Sequence, residues 1–247
     1  YQMAGRALTL LACLLMPLNL WFYDAQKIVT LQAGGHLWLP ALVCCVLYAI
    51  SARVVRDPTF VYVLVAGVAG TGLLLLADHV LNHFWEITAP ATWLVALALV
   101  SIHAERAFPE GEGPFTRRRF GLAFFWSGHF LLAAGLLLVL IAQVCGGWLY
   151  RPLFRPLYEA FEVGQPEIVT TPWGQRWALA LVLAGTYAYA YSDLVVRRLG
   201  VYLSVAVFTL LWAEVLVINQ FDWPLRPVEI VIIALSSHSR SDGAIVG

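Results

Sequence analysis

Residues 120–145 read FGLAFFWSGHFLLAAGLLLVLIAQVC, without one Asp, Glu, Lys or Arg. A hydrocarbon layer about 30 Å thick is crossed by roughly 20 such residues in a helix. Lipid offers the backbone no hydrogen-bond partners, so only helices and closed barrels span it. Barrel strands alternate in polarity with a period of two. The run LLLVLIA does not alternate, so this stretch is expected to be a transmembrane helix.

Six further apolar runs flank it, at about 7–22, 36–52, 60–77, 89–104, 176–196 and 199–219. Hydrophobic residues make up 61% of the 247 and charged residues 12%, with a mean hydropathy of +0.77. That balance is too apolar for an ordinary soluble domain. The expected fold class is therefore all-α, a polytopic transmembrane helical bundle with about seven spans. Residues 1–235 are read as a single multi-span membrane domain and residues 236–247 as a polar tail. The last apolar run, 228–235, covers only about 12 Å as a helix and cannot cross, so the sequence is read as a piece of a longer polytopic protein.

Orientation follows from basic residues. Arg6, Arg53, Arg56, Arg106, Arg117, Arg118, Arg119, Arg197 and Arg198 lie on one side of the expected spans. Lys27, Arg151, Arg155, Arg176 and Arg226 lie on the other. Nine against five places the N-terminus in the cytoplasm, and the expected setting is a bacterial cytoplasmic (inner) membrane. The net charge is zero, so nothing marks nucleic acid as a partner. The expected partners are the lipid bilayer and, through small-residue faces, a second copy of the chain or other membrane subunits.

Two such faces stand out, because helices in lipid approach closely where side chains are small. Gly121, Gly128, Gly135 and Ala142 recur every seven residues in span five, and Ala180, Ala184, Ala188 and Ser192 every four in span six. With Ala66, Gly67, Gly70 and Gly72 of span three, they predict a tight centre built from spans three, five and six. The long connection at 146–175 contains RPLYEAFEVG, where Pro156 suits a helix start and Gly164 an end. Leu157, Tyr158 and Phe161 oppose Glu159 and Glu162, the pattern of a short helix lying in the membrane interface.

Polar groups in or beside the spans are the candidate sites. In DHVLNHFWE, residues 78–86, His79, His83 and Glu86 share one face if span three continues as helix, a spacing metals use. The plainer account is the wetted end of a span, and His36, at the start of span two, is expected to lie too far away to join them. Glu214 in LLWAEVLVINQF is an ionisable group inside a span, a functional hypothesis by default. Asn19 and Arg176 are its expected partners in a substrate or ion pathway, and His129 of span five is a further candidate for that pathway. His129 lies within span five, but haem ligation would want a second histidine at its depth, so no cofactor is expected. Asp193 is expected to pair with Arg197.

No span contains a lysine for a retinal Schiff base, and the usual nucleotide-binding and hydrolase signatures are missing. The sequence thus points to an integral membrane protein acting as a structural or interaction domain. A transporter or channel for a small solute or proton, using Glu214, is the alternative. An extracytoplasmic metal-binding protein is a second one.

Overall fold

The computed structural model describes residues 2–30, 34–79, 86–161, 164–196 and 199–220. Among them the chain is helical, and the only β-type pairing is an isolated bridge between Thr30 and His36. Long helices occupy all seven apolar runs: α1 (Gln2–Ala25), α2 (Trp38–Val55), α3 (Thr59–His79), α4 (Thr88–Ala104), α5 (Leu122–Gln143), α8 (Pro172–Tyr191) and α9 (Gly200–Gln220). Two short ones, α6 (Arg155–Ala160) and α7 (Glu167–Thr170), lie in the long connection. Six of the long helices, α2 to α5, α8 and α9, are apolar and long enough to cross a membrane when their adjoining turns are included. The chain divides into two compact units, residues 1–170 and 171–247.

Local chemistry sets the helix boundaries. Asp57 accepts the Thr59 N–H at 2.9 Å just before α3, and Thr171 accepts the Gly174 N–H at 3.0 Å at the start of α8. Both satisfy amide groups that have no partner within the helix. Pro172 follows at the first helical position, where its missing N–H costs nothing. The helix α2 ends on Arg56, in the left-handed conformation with φ of +58°.

In the first unit, α2, α3, α4 and α5 pack in sequence order, with α3 also touching α5. The seven-residue glycine ladder of α5 is spent on α4. A Cβ at Gly128 would stand 2.8 Å from Ile102 and 2.9 Å from the Ala98 carbonyl oxygen, and one at Gly135 would stand 2.9 Å from Val95. Facing them, Ala91, Leu94, Val95, Ala98 and Ile102 form the buried side of α4. The partner of the ladder therefore differs from the expected one. Ala91 and Ala98 repeat with the same spacing of seven, and α4 and α5 are consecutive helices packed against each other. Two of the three glycines of α3 meet different partners: Gly67 faces Cys45 and Tyr48 of α2, and Gly72 faces the Trp93 indole of α4, while a Cβ at Gly70 would meet open space. That indole donates to the Ala69 carbonyl oxygen at 3.1 Å.

The junction between α4 and α5 is closed by charge. Glu105 is 3% exposed, and its carboxylate is held by Arg117 through Nε–H and, at 3.1 Å, through Nη2. Arg117 also pairs with exposed Glu110. Arg117 belongs to a π-helical turn, Arg117–Gly121, that leads directly into α5. Of the basic triplet, Arg118 and Arg119 are exposed while Arg117 is absorbed by this knot.

In the connection, α6 starts with Pro156 at its second position, as expected, and Leu157 and Phe161 are exposed. It ends at Ala160, before Gly164. The short α7 was not foreseen. It buries Ile168 and sets Pro166 against Gly146, where a Cβ would stand 2.6 Å from the proline ring. An apolar cavity of about 260 Å³ lies beside α6, lined by Ile87, Ile141, Cys145, Leu157, Tyr158 and Phe161 among others.

In the second unit α8 and α9 form an antiparallel pair. Thr186 donates to Thr209 at 3.0 Å and Tyr189 stacks on Tyr202 with ring centroids 6.5 Å apart. Residues buried along α8 include Ala178, Leu181, Val182, Gly185 and Ala188. Of the expected alanine ladder, Ala188 and Ser192 are buried whereas Ala180 is exposed.

Candidate metal centre

The chemistry gathers where α2 begins and α3 ends. Because α2 and α3 are antiparallel neighbours, the GGHLW segment entering α2 meets the ADH segment leaving α3. Asp78 follows the leucine run 73–76 and Ala77, and its side chain is only 4% exposed. A carboxylate so enclosed needs donors on its oxygens, and four come from its surroundings. The Gly34 N–H donates to Oδ1, and the Trp38 indole N–H donates to Oδ2 at 2.9 Å. His36 Nδ1 and His79 Nδ1 each lie 3.1 Å from the same Oδ2, and donate to it when Nδ1 carries the proton.

The connecting loop is bent to make this possible. Gly34 has φ of +79° and His36 has φ of +55°. Glycine enters that region freely and histidine more readily than most residues. The Thr30 N–H donates to the Gly35 carbonyl oxygen at 3.2 Å, closing the turn. The His36 and His79 rings lie 6.2 Å apart, centroid to centroid, and the Trp38 ring meets His79 edge-on at 6.0 Å. His36 and His79 remain 56% and 49% exposed in their side chains. The result is an enclosed carboxylate with two half-exposed imidazoles converging on one of its oxygens.

The ligand atoms of His36, Asp78 and His79 all lie within 4.8 Å of one another, the only such trio among the described residues. The expectation that His36 stays remote is thus corrected. The helix hairpin brings its imidazole onto the carboxylate that His79 also touches. Of the metal candidates read from the sequence, His79 is in the cluster, Glu86 precedes α4 and is not part of the trio, and His83 lies outside the described residues. Asp78 and the role of His36 were missed. The available signal was Asp78 beside His79 at the end of one apolar run and Gly34, Gly35, His36 and Trp38 at the start of the previous one.

The intramembrane candidates lie on four different helices. Glu214 is half-buried in α9 and Arg176 exposed in α8, and among the described residues no ion pair joins them. Asn19 is exposed on α1. His129 is buried in α5 and meets Phe125 edge-on at 4.5 Å. Asp193 lies in the turn Ser192–Val196, and its expected partner Arg197 lies outside the described residues.

Helical architecture and six apolar helices of spanning length define a multi-pass integral membrane protein. No protein-family model, curated protein or solved structure matches the chain.

Proposed function

We propose that this membrane protein binds a divalent transition-metal ion, zinc in the first instance, through His36, Asp78 and His79. The observation that carries the reading is the pair of 3.1 Å separations from Asp78 Oδ2 to the two Nδ1 atoms. Two ligands each about 2.0–2.1 Å from a tetrahedral zinc stand about 3.3–3.4 Å apart. Each nitrogen thus lies near its required separation from the carboxylate oxygen before any ion arrives, and all three ligand atoms lie within 4.8 Å of one another. Neutral imidazole nitrogen and carboxylate oxygen suit zinc and its first-row neighbours. On binding, each imidazole would present the Nδ1 lone pair and keep its proton on Nε2. Trp38 and Gly34 would continue to donate to the carboxylate, the kind of support that orients metal ligands. The nine-to-five distribution of basic residues favours an extracytoplasmic position in a bacterial inner membrane.

A structural or interaction domain is the second reading. It is supported by exposed apolar residues along α2, including Leu39, Leu42, Val43, Val46 and Ile50. One assay separates the two. Calorimetric titration of zinc into the detergent-purified chain should show one site that weakens at least tenfold in Asp78→Asn and disappears in the His36→Ala, His79→Ala double variant. Equal binding by wild type and double variant would refute the metal reading and leave the packing role.

A further inference from the structure

We infer that an ion held here keeps an exchangeable coordination position, filled by water and open to a small anion, so that the site is of the reactive kind rather than a purely structural one. The inference rests on the metal reading above and follows from counting donors. His36 and His79 supply one nitrogen each. Asp78 supplies one oxygen, because Oδ1 is engaged by the Gly34 N–H while the Trp38 indole N–H occupies part of Oδ2. No other His, Cys, Asp or Glu among the described residues joins the trio. Structural zinc is closed by four protein ligands, whereas three protein ligands and a water mark the reactive kind.

The direction left open is set by burial. The carboxylate side is shut, with Asp78 only 4% exposed, and both imidazoles are about half exposed. A fourth ligand therefore comes from the exposed side of the two imidazoles and not from the apolar interior. A water bound there would lose its proton far more easily than bulk water, giving a metal hydroxide near neutral pH. The fitting ligands are consequently water, hydroxide and small monodentate anions.

Cobalt(II) tests this, because its visible absorption reports coordination number and ligand exchange. The full chain in detergent is loaded with cobalt(II), titrated with sodium azide, and compared with His83→Ala and the His36→Ala, His79→Ala double variant. The expected result is a visible band in wild type and in His83→Ala, shifted saturably by azide in both, and absent from the double variant. If the double variant gives the same band as wild type, the metal reading fails and this inference with it. If wild type binds cobalt through His36 and His79 but azide leaves the band unchanged, the metal reading stands and the open position is refuted. A band that responds to azide only in His83→Ala refutes it too, by showing that His83 closes the site.

Discussion

Replacing Arg117 by methionine strips the counter-charge from a carboxylate that has almost no access to water. Glu105 is 4% exposed in its side chain and Arg117 24%, and two hydrogen bonds join them. Losing one partner of such a buried pair costs about 3–5 kcal/mol, chiefly through the charge left behind. Exposed Glu110, at 79%, shares the same guanidinium, but a surface pair contributes only about 0–1 kcal/mol. Three outcomes follow for reversible unfolding in mixed micelles. Arg117→Met should lose about 3–5 kcal/mol, and Glu110→Ala no more than about 1 kcal/mol. The double variant Arg117→Met, Glu105→Leu should recover most of the loss, since an apolar pair of similar volume is often neutral there. Equal losses in Arg117→Met and Glu110→Ala, or no recovery in the double variant, would refute the claim that a buried ion pair ties α4 to α5.

Gly128→Leu should separate α4 from α5, because even a Cβ would meet Ile102 and the Ala98 carbonyl within 3 Å; Gly128→Ala alone should cost about 1–3 kcal/mol by overpacking in the same unfolding assay. Gly34→Ala forces a side chain into the left-handed region at φ of +79°, a cost of about 1–2 kcal/mol, and should weaken zinc binding roughly tenfold, at about 1.4 kcal/mol per decade, in calorimetry. Thr171→Ala removes the cap on α8 and should cost about 1 kcal/mol without changing zinc affinity.

Apolar run length carried most of the fold. Spans such as 120–145 admit few alternatives in lipid, and all seven runs are helices. Pairing was less legible. The glycine ladder signals a close approach but not its partner, since glycine accepts any backbone of matching spacing and the matching Ala91 and Ala98 lie in a span of uniform hydrophobicity. In the connection, Pro156 marked α6, whereas α7 depends on Pro166 packing against Gly146, a contact between positions twenty residues apart.

The site was half legible for a related reason. Helical periodicity relates His79 to His83 within one segment, and it cannot relate either to His36, which arrives through the antiparallel pairing of α2 with α3. Asp78 looked like the wetted end of a span, since an aspartate there is ordinarily solvated. Its enclosure depends on Trp38 and two imidazoles folding over it. Charge inside a span is rare, which singles out Glu214, but rarity within one helix does not specify neighbours.

The most direct test of the central claim is X-ray absorption at the zinc edge of the loaded, full chain in detergent. The account predicts a first shell of about four nitrogen and oxygen atoms near 2.0–2.1 Å, with outer-shell scattering from two imidazoles that falls by half in His36→Ala. A shell without imidazole scattering, one containing sulfur, or a spectrum unchanged by removing His36 would contradict it.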